Sequence, residues 1–250
     1  VKSIAASSME DGGFTLVRRK NKGRGRGQRE PPTLLKGTAE AYGSPSGSSA
    51  LSAEEQEALA DSIRASALAF AGARLWLDVC AAMRRSGLPR DAGLVCYGLG
   101  SPVHNTSARH QLALLLCLRD SLAPQAPPEV YDPVLGVGDE ALLAGLGLRP
   151  GGEGAEAMGR GGAPVLFFMP HCDASLYDAL LARRQGPLLA DTWILGNSLR
   201  AYREARPAAE PLPWVHLEAA LARVEEEQVE DTFHTTGVFN NTSLQWFRRQ

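Results

Sequence analysis

Apolar positions begin to recur with a regular rhythm at residue 52. Ser52-Ala53-Glu54-Glu55 has the form of a capping box, in which the serine hydroxyl and the glutamate carboxylate satisfy free helix amides reciprocally. Leu59, Ile63, Ala67, Phe70, Leu77 and Cys80 then follow at near-helical spacing, which predicts one long helix. Gly87, with Pro89 two residues on, supplies its stop.

Beyond this helix the pattern alternates. Leu94-Val95-Cys96-Tyr97 reads as a buried strand that ends in Gly98-Leu99-Gly100. Asn105, Thr106 and Ser107 are candidate caps for a helix through Leu122, apolar on nearly every side as an interior helix would be. Glu129-Val130-Tyr131 is a short strand leading to Asp132-Pro133, and Asp139 to Leu146 a short helix. The glycine-rich stretch Gly151 to Gly162 reads as a loop. Val165-Leu166-Phe167-Phe168-Met169 is the clearest strand, followed by a helix from Ala174 to Ala182 and a strand at Trp193-Ile194-Leu195. Leu217 to Gln228 reads as a helix, and the alternation from Thr232 to Phe247 suggests one or two closing strands. Continuous apolar strands between helices indicate a mainly parallel sheet covered on both faces. The expected fold is therefore α/β, a Rossmann-like doubly wound domain over residues 52–250.

Residues 1–51 lack this periodicity and are expected to form a disordered basic tail. Met9 is a more natural start than Val1, and residues 1–8 are expected to contribute nothing to the fold. The overall charge of −2 conceals an asymmetry: residues 1–36 hold nine Lys or Arg against three Asp or Glu, and the remainder 17 against 25. The run Arg18-Arg19-Lys20-Asn21-Lys22-Gly23-Arg24-Gly25-Arg26 suits nuclear localisation or nucleic-acid contact, although no interleaved aromatic offers a base a stacking surface. A solvated tail is the plainer reading. With 44% hydrophobic residues the chain can bury a sizeable core, so a wholly disordered protein is excluded. Cys80, Cys96, Cys117 and Cys172 form no Cys-x-x-Cys pair, and the first three lie in apolar runs. That usage favours a reduced, cytoplasmic or nuclear address, and the longest apolar run is far too short to span a bilayer.

Four polar segments each follow an expected strand directly: Gly98-Leu99-Gly100-Ser101, Asp132-Pro133, Pro170-His171-Cys172-Asp173 and Gly196-Asn197-Ser198. In such a fold all four meet at the carboxyl edge of the sheet, where ligands bind. Gly98 and Gly100 suit positive φ or close approach to a ligand, and Asp132 suits ribose hydroxyls. The third glycine of a dinucleotide fingerprint is missing, however, since Val103 stands there. The candidate ligand-binding residues are Gly98, Gly100, Ser101, Asp132, His171, Asp173 and Asn197. Asp173 is also a candidate helix cap. His171 and Cys172 point apart in extended backbone, which leaves at most one as a haem-iron ligand and no zinc set. The bland alternative is that His171 holds its loop by hydrogen bonding. No Gly-x-Ser-x-Gly elbow occurs, so a hydrolase triad has little support.

Tyr97-Gly98-Leu99-Gly100-Ser101-Pro102, Ala108-Arg109-His110-Gln111-Leu112-Ala113, Tyr131-Asp132-Pro133-Val134, Phe168-Met169-Pro170-His171-Cys172-Asp173, Leu195-Gly196-Asn197-Ser198 and Phe239-Asn240-Asn241-Thr242-Ser243 together resemble the Sensitivity-to-Red-Light-Reduced (SRR) family. The resemblance covers about residues 75–250. It implies roles in circadian clock regulation and in regulation of haem biosynthesis, and carries no catalytic residues. The glycine-rich stretch departs from the family, leaving the topology of 147–164 open. The leading expectation is a regulatory protein with a ligand or partner site at the sheet edge. Its partners are unidentified proteins, with nucleic acid only through the tail and no membrane. Haem or a nucleotide-like molecule is the candidate ligand. A nucleotide- or S-adenosylmethionine-dependent transferase and a non-catalytic interaction scaffold are the alternatives.

Overall fold

A computed structural model describes residues 51–151, 163–207, 209–232 and 237–249. The expected tail, Leu51 excepted, and all of the expected glycine-rich loop but Gly151 lie outside these residues. Seven strands form one sheet: β1 (Gly93–Tyr97), β2 (Glu129–Tyr131), β3 (Arg149–Pro150), β4 (Val165–Met169), β5 (Thr192–Asn197), β6 (Val224–Gln228) and β7 (Thr242–Phe247). Their order is β3-β2-β1-β4-β5-β7-β6. β1 to β5 pair in parallel, and β7 runs antiparallel between β5 and β6. β6 therefore points the same way as β5.

The helices are α1 (Ala53–Phe70), α2 (Arg74–Arg85), α3 (Thr106–Leu122), α4 (Val137–Gly145), α5 (Ala174–Arg183), α6 (Leu199–Glu204) and α7 (Val215–Leu221). Strand side chains alternate between two apolar layers. Leu94, Cys96, Leu166, Phe168 and Leu195 pack with residues of α1 to α4. Val95, Tyr97, Phe167, Met169 and Ile194 pack with residues of α5 to α7. α3 is buried on almost every side, from Ala108 to Leu122, which explains its uninterrupted leucines.

The capping box is present: the Glu55 amide donates to Ser52 Oγ at 3.2 Å, and the Ser52 amide to Glu55 Oε2 at 2.8 Å. Two expectations require correction. The single long helix is two, bent by 69° between α1 and α2. Gly72, in the break, disfavours helix, and Ala73 takes an extended conformation as N-cap of α2. The expected helix from Leu217 to Gln228 ends at Leu221, and Val224–Gln228 is a strand. Glu225, Glu226 and Glu227 have helical propensity, but Val224 and the ladder to β7 override it. β3 is a strand of two residues that periodicity does not signal. Among the described residues no single helix is long and apolar enough to cross a membrane.

Candidate functional site at the carboxyl edge of the sheet

The order of the strands determines where the loops meet. β1 connects outward through β2 to β3, whereas β4 connects the other way to β5, so the loops after β1 and β4 leave neighbouring strands at a switch point. The segment after β1 carries Gly98 and Gly100, at φ of 72° and 75°. Such angles strain any residue with a Cβ. Gly98 has a further constraint: a Cβ there would meet the Cys172 sulfur at 2.5 Å. The Cys172 thiol donates to Tyr97 O at 3.3 Å and thereby fills the crevice between the two loops. Burial pushes this thiol far above its ordinary range, so it stays protonated.

The rest of the glycine loop is secured by two aspartates. The Gly100 amide donates to Asp132 Oδ2 at 2.7 Å, and the Val134 amide to Asp132 Oδ1 at 3.0 Å. The Ser101 hydroxyl and the Val103 amide both donate to Asp139 Oδ1 at 2.9 Å. The other oxygen of Asp139 accepts from the Gly136 amide at 3.1 Å, tying the same carboxylate to the start of α4. Asn105 caps α3, its Oδ1 accepting from the Ser107 and Ala108 amides at 2.7 and 3.3 Å. Helix amides that would face an anion in a phosphate-binding loop are thus occupied by a side chain of the chain itself.

On the β4 side, His171 adopts φ of 51° and its Nε2 lies 2.5 Å from Val238 O, which ties the loop to the segment before β7. Its neighbour Cys172 turns inward while His171 is exposed. Cys172 lacks the setting of an iron ligand, since its thiol is buried and protonated, and His171 could offer iron only Nδ1, because its Nε2 is engaged with Val238 O. Asp173 stands at the N-cap of α5 with extended backbone, but its side chain makes no capping hydrogen bond, contrary to expectation. Asn197 joins the group through Nδ2, which donates to Tyr202 Oη at 3.0 Å and to Cys172 O at 3.4 Å.

Two tyrosines that the sequence did not single out complete the edge. Tyr177 Oη donates to Met169 O at 2.6 Å and accepts from the Asn197 amide at 2.8 Å, bridging β4 and β5 where they part. Tyr202 Oη donates to Cys172 O at 2.6 Å. Burial pushes Tyr177 well above the usual phenol range and Tyr202 up to about 12. Asp139 is a third residue of the edge outside the expected set. Its signal was its place three residues beyond Gly136, where a first-turn acid reaches back to a helix start.

The edge therefore ties the β1 loop of Gly98, Gly100 and Ser101 to Asp132 after β2, and sets Asn197, at the end of β5, against the β4 loop of His171 and Asp173, with Cys172 in the crevice between. Clefts among the described residues also lie away from this edge. One of about 500 Å³ is lined by Ala123 to Pro128, and one of about 430 Å³ by Leu68, Trp76, Cys117 and their neighbours. Among the described residues no group of three or more His, Cys, Asp or Glu side chains could hold a metal ion.

A seven-stranded, mostly parallel sheet with motif-bearing loops gathered on its carboxyl edge defines the class of protein. A family model described as the SRR1 domain matches residues 79–246, and the chain belongs to that family. It is similar to SRR1-like protein of Mus musculus, 36% identical over 127 residues, which is 48% of this chain and 51% of the mouse protein. It is also similar to Protein SENSITIVITY TO RED LIGHT REDUCED 1 of Arabidopsis thaliana, 35% identical over 115 residues, 44% of this chain and 41% of that protein. The chain spans about half or less of the length of these curated relatives. No solved structure matches it.

Proposed function

We propose that this chain is a regulatory protein of light and circadian responses, with regulation of haem biosynthesis as a second output, and that it works through the carboxyl edge of its sheet. We read the sheet as Rossmann-like and doubly wound, supported by the strand order and by the apolar layers on its two faces. The name of the Arabidopsis relative connects the family to red-light sensitivity. One observation carries the assignment of the surface. Five of the six motifs that mark the family fall at this edge, in the loops after β1, β2, β4 and β5 and before β7. Their polar groups bond to one another, which yields a rigid, preorganised surface suited to a protein partner.

Rhythm restoration tests this. Cells carrying a luminescent clock reporter are depleted of the protein and supplied with wild type, a His171→Glu/Asp173→Arg double variant, or Gln125→Arg at the opposite edge. All three positions are exposed. Wild type and the Gln125 variant should restore the rhythm and the double variant should not. Full restoration by the double variant would remove this edge as the working surface.

A second reading, a nucleotide- or S-adenosylmethionine-dependent transferase, is favoured by the glycine loop and Asp132 lying beside the switch point. The Cys172 thiol in the crevice and the Asn105 cap weigh against it. Calorimetric titration with S-adenosylmethionine and with NAD separates the readings, since saturable binding of either favours the transferase.

A further inference from the structure

The second corrected element, β6, breaks a local rule. It is the outer strand of the sheet, yet its sequence is Val224-Glu225-Glu226-Glu227-Gln228, and glutamate is depleted in strands. Such conflicts between local preference and fold gather at functional positions. Glu225 pairs with Arg248 and Glu227 with Arg85, both on the side of the strand that faces α2 and Trp246. Glu226 points to the other face, opposite Gln245, and its Oε2 is buried without a hydrogen-bond partner. Gln245 does not answer it, because its amide already serves the Leu199 amide and Asn197 O.

The ladder register shows which backbone groups of β6 are open. The Val229 amide donates to Thr242 O, and the Arg248 amide to Arg223 O. Hydrogen-bonded pairs in an antiparallel ladder recur every second residue, so Glu225 and Glu227 bond to β7 while Val224, Glu226 and Gln228 face outward. The Val224 carbonyl is taken by Arg200 at 2.8 Å. The amides and carbonyls of Glu226 and Gln228 bond to nothing among the described residues.

We infer that β6 accepts an extended basic segment of a partner protein as an eighth strand, with a Lys or Arg of that segment answering Glu226. Strand addition takes its affinity from backbone bonds and its selectivity from alternate side chains. Here the open backbone supplies the first and the uncompensated carboxylate the second. Glu230 continues the negative charge past the strand's end. A second copy is a poor occupant, because two β6 strands would oppose glutamates, and like charges across a ladder repel. Charged edges commonly serve only to prevent pairing. That plain role requires no orphaned carboxylate oxygen.

Fluorescence anisotropy tests this with a labelled ten-residue peptide alternating Arg and Thr, titrated with the whole chain at 0.15 M salt. Two controls share its charge or its backbone: the same peptide N-methylated at alternate amides, and one with Glu in place of Arg. Three variants are compared with wild type. Glu226→Lys reverses the charge, Glu226→Gln removes it, and Gln228→Pro deletes one outward amide while sparing every bond to β7. The expected result is binding by wild type, at least tenfold weaker in each variant and absent for both control peptides. Unchanged circular dichroism would show that the variants fold. Equal binding of the N-methylated peptide, or wild-type affinity in Gln228→Pro, would reduce the effect to charge attraction and overturn the proposal. So would the absence of binding, or concentration-dependent dimerisation in sedimentation that Gln228→Pro abolishes.

Discussion

Gly98→Ala isolates the central contact of the carboxyl edge. Two separate penalties arise at this position. At φ of 72° a Cβ costs roughly 1–2 kcal/mol from backbone strain alone. The same Cβ would also lie 2.5 Å from the Cys172 sulfur and 3.4 Å from Pro170 O, far inside a normal carbon–sulfur contact. Relieving such overpacking in a buried site costs about 1–3 kcal/mol more. The single substitution should therefore destabilise by about 2–5 kcal/mol. Cys172→Ala removes one buried heavy atom and a weak thiol bond, a loss of roughly 1 kcal/mol on the scale of a buried methylene. In the double variant the clash is gone but the strain remains. Replacing Gly98 should then cost only about 1–2 kcal/mol, which leaves a coupling of about 1–3 kcal/mol between the two positions. Urea unfolding followed by tryptophan fluorescence measures the cycle, given denaturant slopes that agree among the four proteins. Additivity within about 0.5 kcal/mol would refute the reasoning. It would mean that Gly98 answers its backbone angle alone and that Cys172 does not close the crevice.

The remaining predictions probe the same edge. Asn105→Ala should cost about 1 kcal/mol as a lost N-cap and leave the Ser107 and Ala108 amides open; added phosphate should then raise the melting temperature of the variant more than that of wild type. Haem titration followed at the Soret band should give at most a weak shift with wild type, because Cys172 is buried and His171 has only Nδ1 to offer. A strong shift lost in His171→Ala would contradict this. Alkaline stability should fall above about pH 9. Burial raises Cys172, Cys96 and Cys117 in the folded chain, Cys117 to about 11, so the unfolded chain loses these protons first. The stability they lend is complete below the ordinary thiol value and declines as pH rises past it, by up to about 1.4 kcal/mol per unit for each of the buried Cys96 and Cys172 and by less for the part-exposed Cys117. Urea midpoints at pH 8, 9 and 10 test the slope, and a flat profile would refute it.

How far the sequence disclosed this molecule depended on whether local and tertiary preferences agreed. Val165 to Met169 reads as a strand because five apolar residues are bounded by a proline, and both layers of the core bury it. Asn105 reads as a cap and is one, since its side chain needs only its own backbone to satisfy it. The break at Gly72 was hidden because apolar spacing continues through it, and the bend that turns α2 depends on packing. β6 was hidden for the opposite reason. Its glutamates announce a helix, and only β7, met some fifteen residues later, imposes a strand. The candidate site was legible as four segments on one edge, because chain direction and the strand–loop boundaries are local facts. What those segments bond to was not. Asp139, Tyr177 and Tyr202 reach the edge from three different helices, and no spacing in the sequence brings them together.

That difference bears on what the glycine loop is for. Read from sequence, Gly98, Gly100 and Asp132 are equally consistent with a nucleotide and with a tight turn, because both require positive φ and an acid nearby. The structure supplies partners, and the partners favour the tight turn. A nucleotide loop keeps its amides open toward the ligand, whereas here the Gly100 amide is bound by Asp132 and the first amides of α3 by Asn105. A nucleotide loop also keeps its glycine bare for a phosphate or ribose, whereas Gly98 is bare for the Cys172 sulfur. The Gly100, Val103, Ser107 and Ala108 amides are each bound by a side chain whose removal would cost stability. A ligand would have to displace those side chains and leave their carboxylate, thiol or amide to find water again. A protein partner faces no such cost, since it can settle on the exposed His171 and Asp173 with the bonds beneath them intact.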